Sequence, residues 1–196
     1  MLPLGARVRS FGPLALLLSI GCGAAPATTA PTTAAPTAVP TAAAPDPDAA
    51  FAPLPYTADE IRKGCPEGRT IVLIEEVPDK LPVKKRMRFL AVDDERATVV
   101  SETLDEKDAP VGDPKTEIAT WNQLRHHAAY PKEATTVSDA TAETPAGTFP
   151  CKRYEVTDGD TKTTACFAKE MPGPPVEMSI EKAGKRVLTL TMVKSE

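Results

Sequence analysis

The sequence predicts a mainly β fold of the α+β kind: a curved antiparallel meander or half-barrel of about nine strands with two short helices. Three observations predict it. Runs of β-branched or alternating residues follow one another at hairpin spacing after residue 56. Two hairpin signals, Asp158-Gly159 and Ala183-Gly184-Lys185, tie the last four runs together in pairs. Two capping boxes, each ahead of a short apolar stretch, mark the helices. A sheet of that many strands joined by short links twists until it curls.

The amino end stands outside that fold. Arg7 and Arg9 precede an apolar run, Pro13 to Ile20, that ends at Gly21-Cys22. The run falls well short of the roughly 20 apolar residues a bilayer span requires, so residues 1–21 read as a signal peptide. The segment Leu18-Ser19-Ile20-Gly21-Cys22 resembles the lipobox of bacterial lipoproteins, with Ser19 where Leu is usual. That resemblance implies cleavage before Cys22, diacylglycerol on its thiol and a lipid-anchored place in the cell envelope. Several acyl chains on one residue anchor stably where a single chain is marginal. Gly23, in place of the Asp that retains many such proteins at the inner membrane, implies the outer membrane, facing the periplasm or the cell surface.

Residues 22–55 are almost wholly Ala, Thr and Pro. Proline every few residues forbids helix and sheet alike, and nothing there is large enough to offset the entropy of ordering. The stretch reads as a disordered, extended tether.

The globular domain is expected over residues 56–196. Thr57-Ala-Asp-Glu60 opens the first helix as a capping box, and Gly64 with Pro66 stops it. Strands are expected at Arg69 to Val77, at Val83 to Val92 and at Ala97 to Leu104, with Asp93 to Arg96 as a polar turn. In the second of these, Lys84, Arg86 and Arg88 share one face, opposite Val83, Met87, Phe89 and Ala91. Asp105 to Pro114 reads as a polar loop and Lys115 to Ala119 as a short strand. Thr120-Trp-Asn-Gln123 caps the second helix, which places Trp121, Leu124 and Ala128 on one face and ends by Pro131. Ala134 to Glu143 is a weak edge strand. Thr148 to Thr157 and Thr161 to Lys169 flank the Asp158-Gly159 loop, which pairs Tyr154 with Thr163. In the last hairpin a three-residue loop aligns Val176, Met178 and Ile180 with Met192, Leu190 and Leu188; a slip of one residue would turn one set to the other face. With the Trp121 helix on the concave side, Trp121, Leu124, Phe89, Tyr154 and Phe167 are the candidates for facing the concavity.

Thr144-Pro-Ala-Gly-Thr-Phe149, the hairpin after it, Cys166-Phe-Ala-Lys169 and the turn Met171-Pro-Gly-Pro-Pro-Val176 resemble exported bacterial proteins of the LolA/LolB-like half-barrel type, over roughly residues 140–193. The resemblance implies a half-barrel with an apolar concavity; the best-known members carry lipoproteins there.

Beyond Cys22 the chain holds Cys65, Cys151 and Cys166, an odd number for an oxidising compartment. The hairpin places Cys151 opposite Cys166. Either those two pair, or Cys65 pairs with one of them, or none does. Redox chemistry of the C-x-x-C kind has no motif here.

No catalytic residue and no cofactor emerges. His126 and His127 are the only histidines, and neighbours on a helix point about 100° apart, so no metal is expected. No G-x-S-x-G is present, and Asp158-Gly-Asp160 is accounted for by the hairpin rather than by calcium. The net charge is −4, and the leader contributes two arginines and no acid, so the chain beyond it is more acidic still. Nucleic acid, which needs a dense basic face, is excluded as a partner. Lys84, Arg86 and Arg88 read as a solvated face. The expected function is a non-enzymatic envelope module, its partners the membrane through the lipid anchor and an apolar ligand or envelope protein on the concave face. The alternatives are an envelope hydrolase with an unrecognised site and a purely structural domain.

Overall fold

Nine antiparallel strands form one unclosed, curled sheet, a half-barrel whose concave face carries two short helices. The computed structural model describes residues 47–196; the signal segment, Cys22 and most of the Ala/Pro/Thr stretch lie outside the described residues. The chain runs α1 (Ala58–Gly64), β1 (Thr70–Glu76), β2 (Val83–Leu90), β3 (Arg96–Leu104), β4 (Pro110–Thr120), α2 (Trp121–His126), a 3₁₀ turn at Lys132–Ala134, β5 (Thr135–Thr144), β6 (Gly147–Asp158), β7 (Thr161–Ala168), β8 (Glu177–Lys182) and β9 (Lys185–Ser195).

The strand order is β4-β3-β2-β1-β9-β8-β7-β6-β5. One meander steps outward from β1 to the β4 edge. The chain then passes through α2 to the opposite edge, β5, and a second meander steps back to β9, which pairs with β1. The first and last strands therefore lie side by side in the middle of the sheet.

Both helices begin with the capping boxes expected of them. The Thr57 hydroxyl accepts the Glu60 N–H at 3.2 Å and the Glu60 carboxylate accepts the Thr57 N–H at 2.7 Å. At α2 the Thr120 hydroxyl accepts the Gln123 N–H at 3.1 Å and the Gln123 side chain accepts the Thr120 N–H at 2.8 Å. Each box satisfies two of the N–H groups a helix start leaves unpaired.

Alternation sorts the two faces. Met87 lies opposite Ile71 and Phe89 opposite Val99 on the concave side, where Leu73 faces Met192 and Leu190 faces Met178. Lys84, Arg86 and Arg88 point the other way. Arg86 and Arg88 both bind Glu102, at 2.8 and 3.0 Å, and Lys84 binds Asp108 at 2.7 Å. The basic stripe is thus largely neutralised by Glu102 and Asp108, and in return Arg86, with Arg88, holds the Glu102 carboxyl and Lys84 the Asp108 carboxyl below their usual range.

Three expectations need correction. The segment from Pro110 to Pro114 is not loop but the start of β4, paired with β3 from Leu104 onward. An edge strand uses hydrogen bonds on one side only, so it tolerates both prolines, and a register shift between Ser101 and Thr103 accommodates them. The connecting turn is held by Asp105, whose carboxylate accepts the N–H groups of Lys107 and Ala109, both at 2.8 Å. Second, the β6–β7 loop is Gly159-Asp160, so Asp158 faces Thr161 and Tyr154 faces Ala165 rather than Thr163. Gly159, at φ 59°, supplies the positive φ that a two-residue loop of this kind needs at its first position. Third, the β8–β9 loop has two residues, Ala183 and Gly184, at φ 48° and 74°, the paired positive values of a I′ turn. A bulge between Ile180 and Glu181 absorbs the difference, so Met178 still faces Leu190 and Ile180 still faces Leu188.

Residues 47–55, expected as the end of the disordered tether, instead pack on the domain. Phe51 forms a bridge with Pro131, and Ala52 is buried.

Candidate functional site: an apolar cavity beneath the helices

Tyr56 and α1 are seated on the end of β7. The Tyr56 hydroxyl donates to the Ala168 carbonyl at 2.6 Å, its ring stands edge-on to Phe167 at 6.2 Å, and Ile61 is buried below. Helix α2 hangs from the β2–β3 turn. The Trp121 indole N–H donates to the Asp93 carbonyl at 3.0 Å, and the Asp93 carboxylate accepts the N–H groups of Glu95 and Arg96, both at 2.8 Å. The two helices do not fill the concavity between them. A partly open cavity of about 230 Å³ remains, walled on the sheet side by Met87, Phe89, Phe167, Met178 and Leu190 and on the helix side by Ile61, Leu124 and Ala128.

Of the residues singled out for the concavity, Phe89, Leu124 and Phe167 line this space. Trp121 and Tyr154 lie beside it, in the packed core. Trp121 is buried between α2 and the Asp93 turn. Tyr154 is buried against Phe167 and Tyr130, at 5.4 and 5.8 Å between ring centres, and its hydroxyl donates to the Pro53 carbonyl. Sequence reasoning missed Met178 and Leu190 as wall residues, although the hairpin register had put them opposite each other. It also missed Tyr56, Tyr130 and the Gly173-Pro174-Pro175 rim, for which no periodicity exists to read.

The polar groups at the cavity are few: the Tyr56 and Tyr130 phenols, the Cys65 thiol, and Arg125 with His127. Burial pushes both phenols and the thiol above their ordinary values, with Arg69 pulling against the shift at Tyr56 and Cys65. All three therefore stay protonated at neutral pH, as neither bases nor nucleophiles. Arg125 is ion-paired with Asp48. The His126 imidazole makes its own contacts outside the cavity, to the Asn122 carbonyl at 2.7 Å and to Asp48 at 3.0 Å. Among the described residues no cluster of three or more His, Cys, Asp or Glu side chains could hold a metal.

The three cysteines of the domain are free thiols and fully buried. Cys151 faces Ala168, not Cys166, because the β6–β7 loop sits one residue later, at Gly159-Asp160, which moves the register by two. Cys166 faces Arg153, diagonal to Cys151 across the strands. Burial and the neighbouring Cys166 thiol push Cys151 up to about 12. Cys65 donates to the Pro172 carbonyl at 3.6 Å and accepts from Arg69 at 3.2 Å. Arg69 is itself buried and also donates to the carbonyls of Gly64 and Pro172, clamping the end of α1 to the Pro172–Pro175 loop.

No protein-family model matches the chain, and no curated protein matches it. Among solved structures, MucB in complex with MucA(peri) is similar, with 8% sequence identity and a TM-score of 0.47 over 71% of this chain. The chain spans about half of that protein, 53% of its length. A LolA superfamily protein from Nitrosomonas europaea is similar with 10% identity and a TM-score of 0.22, over 72% of this chain and 93% of the other.

Proposed function

We propose that this domain is a non-enzymatic binding module that holds a slender apolar ligand in the concave-face cavity. The cavity itself carries the reading. Its volume of about 230 Å³ exceeds the roughly 150 Å³ of an engineered apolar cavity that binds benzene. It falls below the ~300–1,000 Å³ typical of drug-sized ligands. A chain or two linked aromatic groups fit, whereas a folded partner or a peptide with side chains does not, because the helices already cover that face. The phenols and thiol stay protonated at neutral pH, and no carboxylate lines the cavity to partner its one imidazole, His127, which favours holding over reacting. Acylation of Cys22, residues 22–46 as a tether and an outer-membrane location complete the proposal; together they would keep the module within a bounded reach of a lipid surface.

The test uses the full chain carrying Cys22→Ser, titrated with 1-N-phenylnaphthylamine, whose fluorescence rises in apolar surroundings. Saturable one-site binding is expected. Met178→Trp, which fills the cavity, weakens binding at least about tenfold, the loss of roughly 1.4 kcal/mol of packing. Binding that is absent, or equal in the filled variant, refutes the reading. Anchoring is tested separately by fatty-acid labelling, expected in the wild type and lost in Cys22→Ser.

A further inference from the structure

The residues ahead of Tyr56 cross the same face as the cavity and share its walls. The Ala50 carbonyl accepts the Lys132 N–H at 3.0 Å, and the Ala52 N–H donates to the Tyr130 carbonyl at 2.9 Å. The Pro53 carbonyl accepts the Tyr154 hydroxyl. At the far end the Asp48 carboxylate meets both Arg125 and His126, and the Phe51 ring stands edge-on to His126 at 6.3 Å. At the near end Pro55 and Tyr56 are cavity wall. Arg125 belongs to both systems, lining the cavity while holding Asp48. A proline-rich stretch gains little order on its own, so its placement here comes from these anchors.

We propose that residues 48–55 are a strap that lifts for the cavity to fill or empty, with the Asp48 latch on Arg125 and His126 setting how often it lifts. This rests on the cavity being a binding site. The strap is held by discrete hydrogen bonds and one latch rather than by a sheet ladder, so it belongs to the parts of a fold that open locally without global unfolding. An occupant packed under Pro55 and Tyr56 holds the strap down, and by linkage a docked strap holds the occupant in. The residues just before Asp48 continue into the Ala/Pro/Thr stretch, so a pull on that stretch reaches the latch before the anchors at Ala50, Ala52 and Pro53.

Stopped-flow mixing of 1-N-phenylnaphthylamine with the full Cys22→Ser chain, with and without Asp48→Asn, tests this. Asn keeps the shape and removes the charge. Association and dissociation are both expected to quicken about tenfold, the scale of one charge-assisted hydrogen bond, with the dissociation constant changing less than threefold. Hydrogen exchange at the Ala52 amide quickens by a similar factor, while exchange at Ile71 in the sheet centre stays unchanged. Tyr154→Phe, at the opposite anchor, acts in the same direction. Saturable binding with unchanged rates in Asp48→Asn overturns the strap and leaves the cavity reading standing. Faster rates without faster Ala52 exchange also overturn it. No saturable binding in either protein overturns both.

Discussion

Replacing Phe167 with alanine tests the core and the cavity wall together. The ring is 4% exposed and stands edge-on to Tyr154 at 5.4 Å and to Tyr56 at 6.2 Å. Removing a buried Phe costs about 3–5 kcal/mol in transfer and cavity terms together. The two edge-on pairs, each worth about 0.5–1.5 kcal/mol beyond area burial, place Phe167→Ala in the upper half of that range, about 4 kcal/mol. Against a total stability of roughly 5–15 kcal/mol, such a loss leaves a marginal fold. At about 2–4 °C per kcal/mol for a domain of this size, the midpoint falls by about 8–16 °C. Phe167→Leu retains most of the apolar area but neither ring pair, and about 1–2 kcal/mol is expected. The assay is urea unfolding followed by fluorescence of the chain's single tryptophan, Trp121, which reports from helix α2. A loss under about 1 kcal/mol for Phe167→Ala, or equal losses for Ala and Leu, would refute the assignment of Phe167 as the shared packing point of Tyr56 and Tyr154.

Gly64→Ala is expected to destabilise by about 1–3 kcal/mol, because its Cβ would stand 2.9 Å from the Pro172 ring, which has no rotamer to escape to; thermal melting checks it, and an unchanged midpoint contradicts the packing. Alkaline pH provides a second test. Burial pushes the Tyr154 phenol up to about 12, so the fold favours the neutral form. Stability is intact below about pH 10, the ordinary phenol value, and falls as pH rises toward about 12. Tyr154→Phe should reduce that alkaline loss, at a cost near neutral pH of about 1 kcal/mol for the bond to the Pro53 carbonyl; denaturant titrations at pH 8 and pH 11 compare the two, and an undiminished alkaline loss in the variant would show that Tyr154 is not its source.

Local chemistry made much of the fold readable. Thr57 and Thr120 marked helix starts because a hydroxyl three residues before a Glu or Gln satisfies two unpaired N–H groups, whatever the rest of the chain does. Met178 opposite Leu190 followed from face alternation, which tolerates no single-residue slip, and survived even though the loop and a bulge divided the extra residue differently. The β6–β7 register was missed by two because Asp158-Gly159 and Gly159-Asp160 are both workable loops, and a two-residue shift keeps every side chain on its face. Pro110 and Pro114 disguised an edge strand, since the same residues serve a loop equally well. The strap was invisible for a related reason: Pro53 and Pro55 look like spacer, and what orders them is Tyr130 and Tyr154, far along the chain. The cavity walls were half legible, through Phe89, Leu124 and Phe167. Whether such residues touch or leave a gap depends on helix placement, which no periodicity encodes.

The pairing of β1 with β9 has a consequence for assembly. Of the nine described strands β1 is made first and β9 last, so the seam joining the two wings closes only when β9, Lys185–Ser195, is free to dock. Until then each wing is a short meander with an exposed inner edge, and closure of a loop spanning nearly the whole β domain slows assembly. A chain stopped between Lys182 and Lys185 would therefore lose β9 alone, leaving β1–β4 and β5–β8 with nothing to join them.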